Sequence, residues 1–63
     1  MDFIEKIRQL RDNALADVRS FLSLYEGALL SQQYLAADGY RQQHALAEGQ
    51  LRAYDSILAL VAP

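Results

Sequence analysis

Ala36-Ala37-Asp38-Gly39-Tyr40 contains the strongest turn signal in the chain, because an Asp-Gly pair stands between two long segments that favour helix. Glycine readily adopts the left-handed conformation that ends many helices, and either Asp38 or Gly39 can begin the next helix. The stretch therefore predicts the bend of a helical hairpin, with the turn at residues 37–39. The alternative is that Asp38 and Gly39 are tolerated inside one long helix.

The segments on both sides of this bend have the composition of helices. The single proline is the last residue of the sequence, and helix-favouring Ala, Leu, Gln, Arg and Glu dominate. We therefore predict an all-α fold with helix 1 over about residues 3–36 and helix 2 over about residues 40–62. Asp2 and Glu5 resemble a capping box at the start of helix 1. Asp12 and Asn13 prefer caps and turns, so a break near 12–13 is the alternative to a continuous helix 1.

Apolar residues recur in both segments at alternating spacings of three and four, which is typical of helices that pack side by side. In helix 1 the pattern comprises Leu15, Val18, Leu22, Tyr25 and Leu29, and in helix 2 it comprises Ala47, Leu51, Tyr54, Leu58 and Val61. An antiparallel fold about residue 38 would place Gly27 opposite Gly49. Because this bend is off-centre, helix 1 would be the longer helix and residues 1–13 would have no partner within the chain.

The apolar side chains of that unpaired segment suggest an oligomer. Exposing large apolar side chains to water is unfavourable, and a 63-residue chain can bury little surface by itself. There is no cysteine, so a partner subunit is the expected source of stability. We predict that the hairpin assembles into an oligomeric helical bundle, as a homodimer or a higher oligomer. The predicted intersubunit residues are Phe3, Ile4, Ile7, Leu10, Leu24 and Leu30.

Composition argues against several classes of function. The net charge of −2 argues against nucleic-acid binding through a basic patch. The least charged window, residues 20–37, is too polar to span a membrane, and the first residues lack the features of a signal peptide. We therefore expect a cytoplasmic protein without membrane contact. No catalytic or metal-ligand motif is present, so the sequence predicts no enzyme, no cofactor and no metal site.

Four residues around the predicted bend are candidates for contact with a ligand or a partner: Tyr34, Tyr40, Arg41 and His44. Aromatic side chains beside an arginine can stack on a base and hold a phosphate, which would suit an oligomer that sequesters a nucleotide or small ligand between its subunits. The same residue types anchor protein interfaces, and we favour that interpretation. His44 has no nucleophile motif near it and is interpreted as an interface or surface histidine.

The size and the two-helix pattern resemble Rop-type hairpins, which dimerise into four-helix bundles; the likeness is one of architecture. The segment from Ala47 to Asp55, Ala-Glu-Gly-Gln-Leu-Arg-Ala-Tyr-Asp, is similar to segments of small bacteriophage proteins. That resemblance implies a virion accessory part or an inhibitor of one host protein, located in the host cytoplasm or the virion. Our expectation is a non-enzymatic homo-oligomer that acts by protein–protein interaction, with nucleotide or small-ligand sequestration as the alternative.

Overall fold

The computed structural model describes residues 2–61, and in these residues it consists of two helices that pack against each other. Helix α1 is Phe3–Leu30 and helix α2 is Tyr34–Val61. The helical pair measures 44 × 17 × 14 Å, and its long axis matches the roughly 42 Å expected of a 28-residue helix. The predicted all-α hairpin is therefore confirmed. The predicted last residue of helix 2, residue 62, lies outside the described residues.

Helix α1 begins at a cap and continues without interruption. The Asp2 carboxylate accepts a hydrogen bond from the Ile4 N–H at 3.3 Å, where the capping box predicted the residue 5 N–H as donor, and the Asp2 carbonyl accepts from the Lys6 N–H at 3.0 Å. The helix passes straight through Asp12 and Asn13, as the continuous helix 1 predicts, and the alternative of a break near 12–13 is wrong. Both side chains are exposed and do not disturb the backbone.

The predicted turn at residues 37–39 is wrong, because the chain reverses at residues 31–33. Gln32 has φ of 57°, the left-handed conformation that glycine usually provides. The Gln33 N–H donates to the Ala28 carbonyl at 2.8 Å and the Gln32 N–H donates to the Leu29 carbonyl at 3.1 Å. These two bonds form a Schellman motif, which satisfies carbonyls at the end of α1.

Asp38 and Gly39, the predicted bend, lie near the start of α2. The Asp38 carboxylate accepts hydrogen bonds from Arg41 Nη2 at 2.7 Å and from Gln42 Nε2 at 3.1 Å. Gly39 costs the helix only about 1 kcal/mol relative to alanine, an amount that packing of the two helices readily outweighs.

Moving the bend to residue 32 changes which residues face each other. Both helices are 28 residues long, so the prediction of a longer first helix is wrong. Arg11 bonds to Asp55, which places the first third of α1 beside the last third of α2. Gly27 and Gly49 are therefore not opposite each other, and the described part of the segment predicted to be unpaired, residues 2–13, does have a partner within the chain.

The core between the helices is narrow and built from small residues. The buried side chains are Ile7, Ala14, Ala28, Ala37 and Ala47, and no large side chain among the described residues is fully buried. Alanine lets two helix backbones approach closely, since the distance between helix axes depends on the side chains at the contact. Ala14, Ala28 and half-buried Phe21 lie seven residues apart and define the face of α1 that meets α2.

On α2, the contacting face agrees with the predicted pattern over most of its length. Ala47 is buried and Leu51, Tyr54 and Leu58 are half-buried, whereas Val61 is 44% exposed at the end of the helix. The face of α1 is rotated from the predicted one. Leu22 and Leu29, predicted to face helix 2, lie at its edge and remain 42% and 40% exposed.

Candidate interaction surface

The hairpin leaves an unusually large apolar surface in contact with water. Its exposed large apolar side chains are Phe3, Leu22, Leu24, Leu29, Leu30, Tyr34, Leu35, Leu46, Leu60 and Val61. The accessible area is 4695 Å², compared with about 4,100 Å² expected for a folded monomer of this mass. Two helices alone therefore bury less surface than a typical monomeric domain of this size does.

The residues predicted to lie between subunits fall into different environments. Ile7 is buried in the hairpin, and Ile4 and Leu10 are half-buried there. The argument that these side chains lack a partner within the chain is therefore wrong. Phe3 and Leu24 are exposed at the edge of α1, and Leu30 is 87% exposed beside the turn. These three side chains are available for contact with another molecule.

A second apolar pattern, predicted from the sequence to face helix 2, lies along one edge of α1. Leu15, Leu22 and Leu29 are separated by seven residues and so share one side of the helix. We call these three residues the leucine row. Leu15 is half-buried, and Leu22 and Leu29 are exposed. The sequence contains a second set of residues with the same spacing, Ala14, Phe21 and Ala28, each one position before a leucine of the row. Because only one of the two sets can face α2, this second set could have shown that the leucines lie at the edge.

Charged residues accompany the leucine row at alternating spacings of three and four. The combined order along this side of α1 is Asp12, Leu15, Arg19, Leu22, Glu26 and Leu29. Arg19 and Glu26 are exposed and take part in no ion pair within residues 2–61. They are two helical turns apart, about 10 Å along the axis, so they cannot reach each other within one helix.

The opposite edge of α1 offers a less regular apolar surface. Phe3, Leu10 and Leu24 belong to one set of positions seven residues apart, and Asp17 occupies the remaining position between them. A partner helix lying on this edge would therefore cover an exposed carboxylate along with the apolar side chains. Burying an unpaired carboxylate is costly, so this edge is a poorer contact for a helix than the leucine row.

Polar partners on α2 already occupy two of the four candidate ligand residues. Arg41 is paired with Asp38, whose hydrogen bond and charge raise the pKa of the Arg41 guanidinium. His44 Nδ1 lies 2.9 Å from Glu48 Oε1. Tyr34 is 65% exposed and Tyr40 is half-buried. Because a carboxylate on the same helix balances the charge of Arg41, this arginine is a weak site for a phosphate.

The described residues contain no metal-binding group, and the depression on their surface is shallow. Between residues 2 and 61 no three His, Cys, Asp or Glu side chains are grouped closely enough to hold a metal ion. A shallow depression on the outer face of α1, lined by Arg19, Ser20, Ser23 and Leu24, is open to solvent. Neither described helix combines the length and the apolar character that a membrane span requires.

Comparisons of the chain with protein-family models, with curated proteins and with solved structures found no match. The resemblances to Rop-type hairpins and to small bacteriophage proteins therefore stay predictions. The geometry itself defines a two-helix hairpin with an alanine-rich interior and apolar edges.

Proposed function

We propose that this protein is a non-enzymatic homo-oligomer that acts through protein–protein contacts. The observation that carries the proposal is the contrast between its interior and its surface. Between residues 2 and 61, four of the five buried side chains are alanine, while leucines such as Leu30 and Leu35 remain in water. Full burial of a leucine stabilises a protein by roughly 1.5–3 kcal/mol, so covering these exposed leucines with another molecule would add stabilisation that the hairpin alone does not have.

The shape of the hairpin supports the same proposal. Its radius of gyration is 14.3 Å, whereas a compact domain of this length has about 11 Å. An elongated pair of helices with apolar edges gains a compact core when it packs side by side with another pair. A four-helix bundle is the usual product of such packing.

The proposal extends to a target. Leu30 and Leu35 lie near the turn, and their side chains are not part of the hairpin core. They offer an apolar site for one host or virion protein. A role as a bacteriophage accessory or host-inhibitory protein in the cytoplasm is consistent with such a site. Nucleotide sequestration is the weaker hypothesis, because the guanidinium of Arg41 is already paired with Asp38.

Light scattering coupled to gel filtration tests self-association directly. At micromolar concentration we expect a mass that is a multiple of the 7.1 kDa chain, together with a helical circular-dichroism spectrum. The midpoint of thermal unfolding should rise with protein concentration, because association stabilises the folded state by mass action. A folded, helical monomer whose unfolding midpoint is independent of concentration would refute the proposal.

A further inference from the structure

We infer that a second copy of the chain docks antiparallel on α1, with Leu15, Leu22 and Leu29 facing their counterparts and Arg19 paired with the partner's Glu26. The inference rests on the proposed self-association, and it adds which surface the two copies share and how their α1 helices run relative to each other. It identifies one side of one helix as the contact between subunits. The contact is isologous, so each copy contributes the same residues.

The leucine row provides the apolar centre of this contact. Its spacing of seven residues keeps a straight line of leucines along the edge of α1, which is the pattern that a second helix packs against. Leu22 and Leu29 keep 42% and 40% of their surface exposed after the hairpin has formed. The corresponding positions on the opposite edge include the exposed carboxylate of Asp17, so the leucine row is the uninterrupted surface.

The charges beside the row determine the direction of the second helix. If the copy ran parallel, a two-fold axis would place Arg19 and Glu26 of the two copies on opposite sides of the leucine row, and neither side chain would gain an ion pair with the other copy's. If the copy runs antiparallel with Leu22 at the two-fold axis, Arg19 and the partner's Glu26 lie on the same side of the row and only one residue, about 1.5 Å, apart along the helix, so they can pair, and the reverse pair forms as well. Charge complementarity therefore selects a second copy in the antiparallel arrangement.

The same axis matches the apolar residues. Leu22 lies midway between Leu15 and Leu29, so an axis at Leu22 places Leu15 opposite the partner's Leu29. Every leucine of the row then meets a leucine. Arg19 and Glu26 have no ion pair within the described hairpin, and the contact provides one for each.

Single cysteines test the arrangement, because the chain has no cysteine of its own. A disulfide needs Cα atoms within about 7 Å, so crosslinking reports which residues face each other. Under mild oxidation we expect Leu22→Cys to crosslink to itself. Leu15→Cys and Leu29→Cys should crosslink when mixed and should remain uncrosslinked when each is alone. Leu46→Cys, on an exposed position of α2, is the control for random collisions.

The outcomes separate the inference from the proposed function. Efficient self-crosslinking of both Leu15→Cys and Leu22→Cys indicates a parallel contact and overturns the inference. An oligomer by light scattering in which no leucine-row cysteine crosslinks above the Leu46→Cys control also overturns it, while the proposed self-association stands. If light scattering shows a monomer, both the inferred contact and the proposed self-association are refuted.

Exchanging charges tests the direction without a disulfide. Arg19→Glu or Glu26→Arg alone creates two like-charged pairs across the axis, and we expect the dimer dissociation constant to rise about tenfold at low salt. The double variant with both exchanges should return to within about threefold of the original. Singles that leave the constant unchanged, or a double variant no tighter than the singles, would contradict the antiparallel contact.

Discussion

The guanidinium of Arg11 donates a hydrogen bond through Nε to Oδ1 of Asp55, and the two residues are 44 positions apart in the sequence. This bond joins the amino-terminal third of α1 to the carboxyl-terminal third of α2. It also lies at the edge of the narrow core, where the side chains of Arg11 and Asp55 are 39% and 50% exposed. The pair therefore reports the register of the hairpin directly.

A double-mutant cycle on Arg11 and Asp55 should detect this register. Half-exposed ion pairs contribute little because water screens them, so we expect a coupling free energy of about 0.2–1 kcal/mol between Arg11→Ala and Asp55→Ala. Urea unfolding at one fixed protein concentration measures it. The control cycle pairs Arg11→Ala with Asp12→Ala, where the atoms are 3.6 Å apart and Asp12 is 72% exposed, and its coupling should be smaller. Zero coupling between Arg11 and Asp55 would contradict the register.

The position of the turn gives a second prediction. Gln32 occupies the left-handed conformation at φ 57°, where a side chain is disfavoured and glycine is not. We expect Gln32→Gly to raise the free energy of unfolding by about 0.5–1 kcal/mol, since the relief of strain exceeds the added freedom of the unfolded chain. The matched control is Gln43→Gly, inside α2, which should lower the same quantity by about 1 kcal/mol. Equal destabilisation by both substitutions would place residue 32 inside a helix.

The sequence was sufficient for an all-α hairpin because composition and the spacing of apolar residues act along whole helices. It was not sufficient for the turn. Asp38-Gly39 has the stronger local turn preference, yet three backbone hydrogen bonds at residues 31–33 end α1 earlier, and a glutamine accepts the left-handed conformation. Local preference is worth about 1 kcal/mol, and the packing of two complete 28-residue helices exceeds it.

The position of the leucine row at the edge of α1 could not be predicted from the sequence, for a related reason. Two patterns with the same spacing run along α1, one residue out of step: Ala14, Phe21 and Ala28 beside Leu15, Leu22 and Leu29. Hydrophobicity favours the leucines as the core, whereas close approach of the backbones selects the alanines. Only the three-dimensional structure distinguishes the two patterns.

Gly39 offers a direct comparison between the predicted bend and the observed helix. A Cβ added at this position would meet no atom within 4 Å, and the residue has no positive φ. We expect Gly39→Ala to stabilise the protein by about 1 kcal/mol, as alanine does at exposed helical positions. Gly49→Ala is the matched control, because the sequence and the structure both place residue 49 inside a helix. Thermal unfolding that shows stabilisation by Gly49→Ala and destabilisation by Gly39→Ala would restore the bend at residues 38–39.

The alanine-rich interior yields the last prediction. Ala37 is 2% exposed, so a larger side chain there must push the two helices apart. We expect Ala37→Leu to destabilise the hairpin by about 1–3 kcal/mol, in the range of overpacked cores, measured by urea unfolding with the helical circular-dichroism signal. Ala45→Leu makes the same chemical change at an exposed position of the same helix and should alter the free energy of unfolding by less than about 0.5 kcal/mol. If Ala37→Leu were as well tolerated as Ala45→Leu, residue 37 would face open space, and the close approach of α1 and α2 near the turn would be disproved.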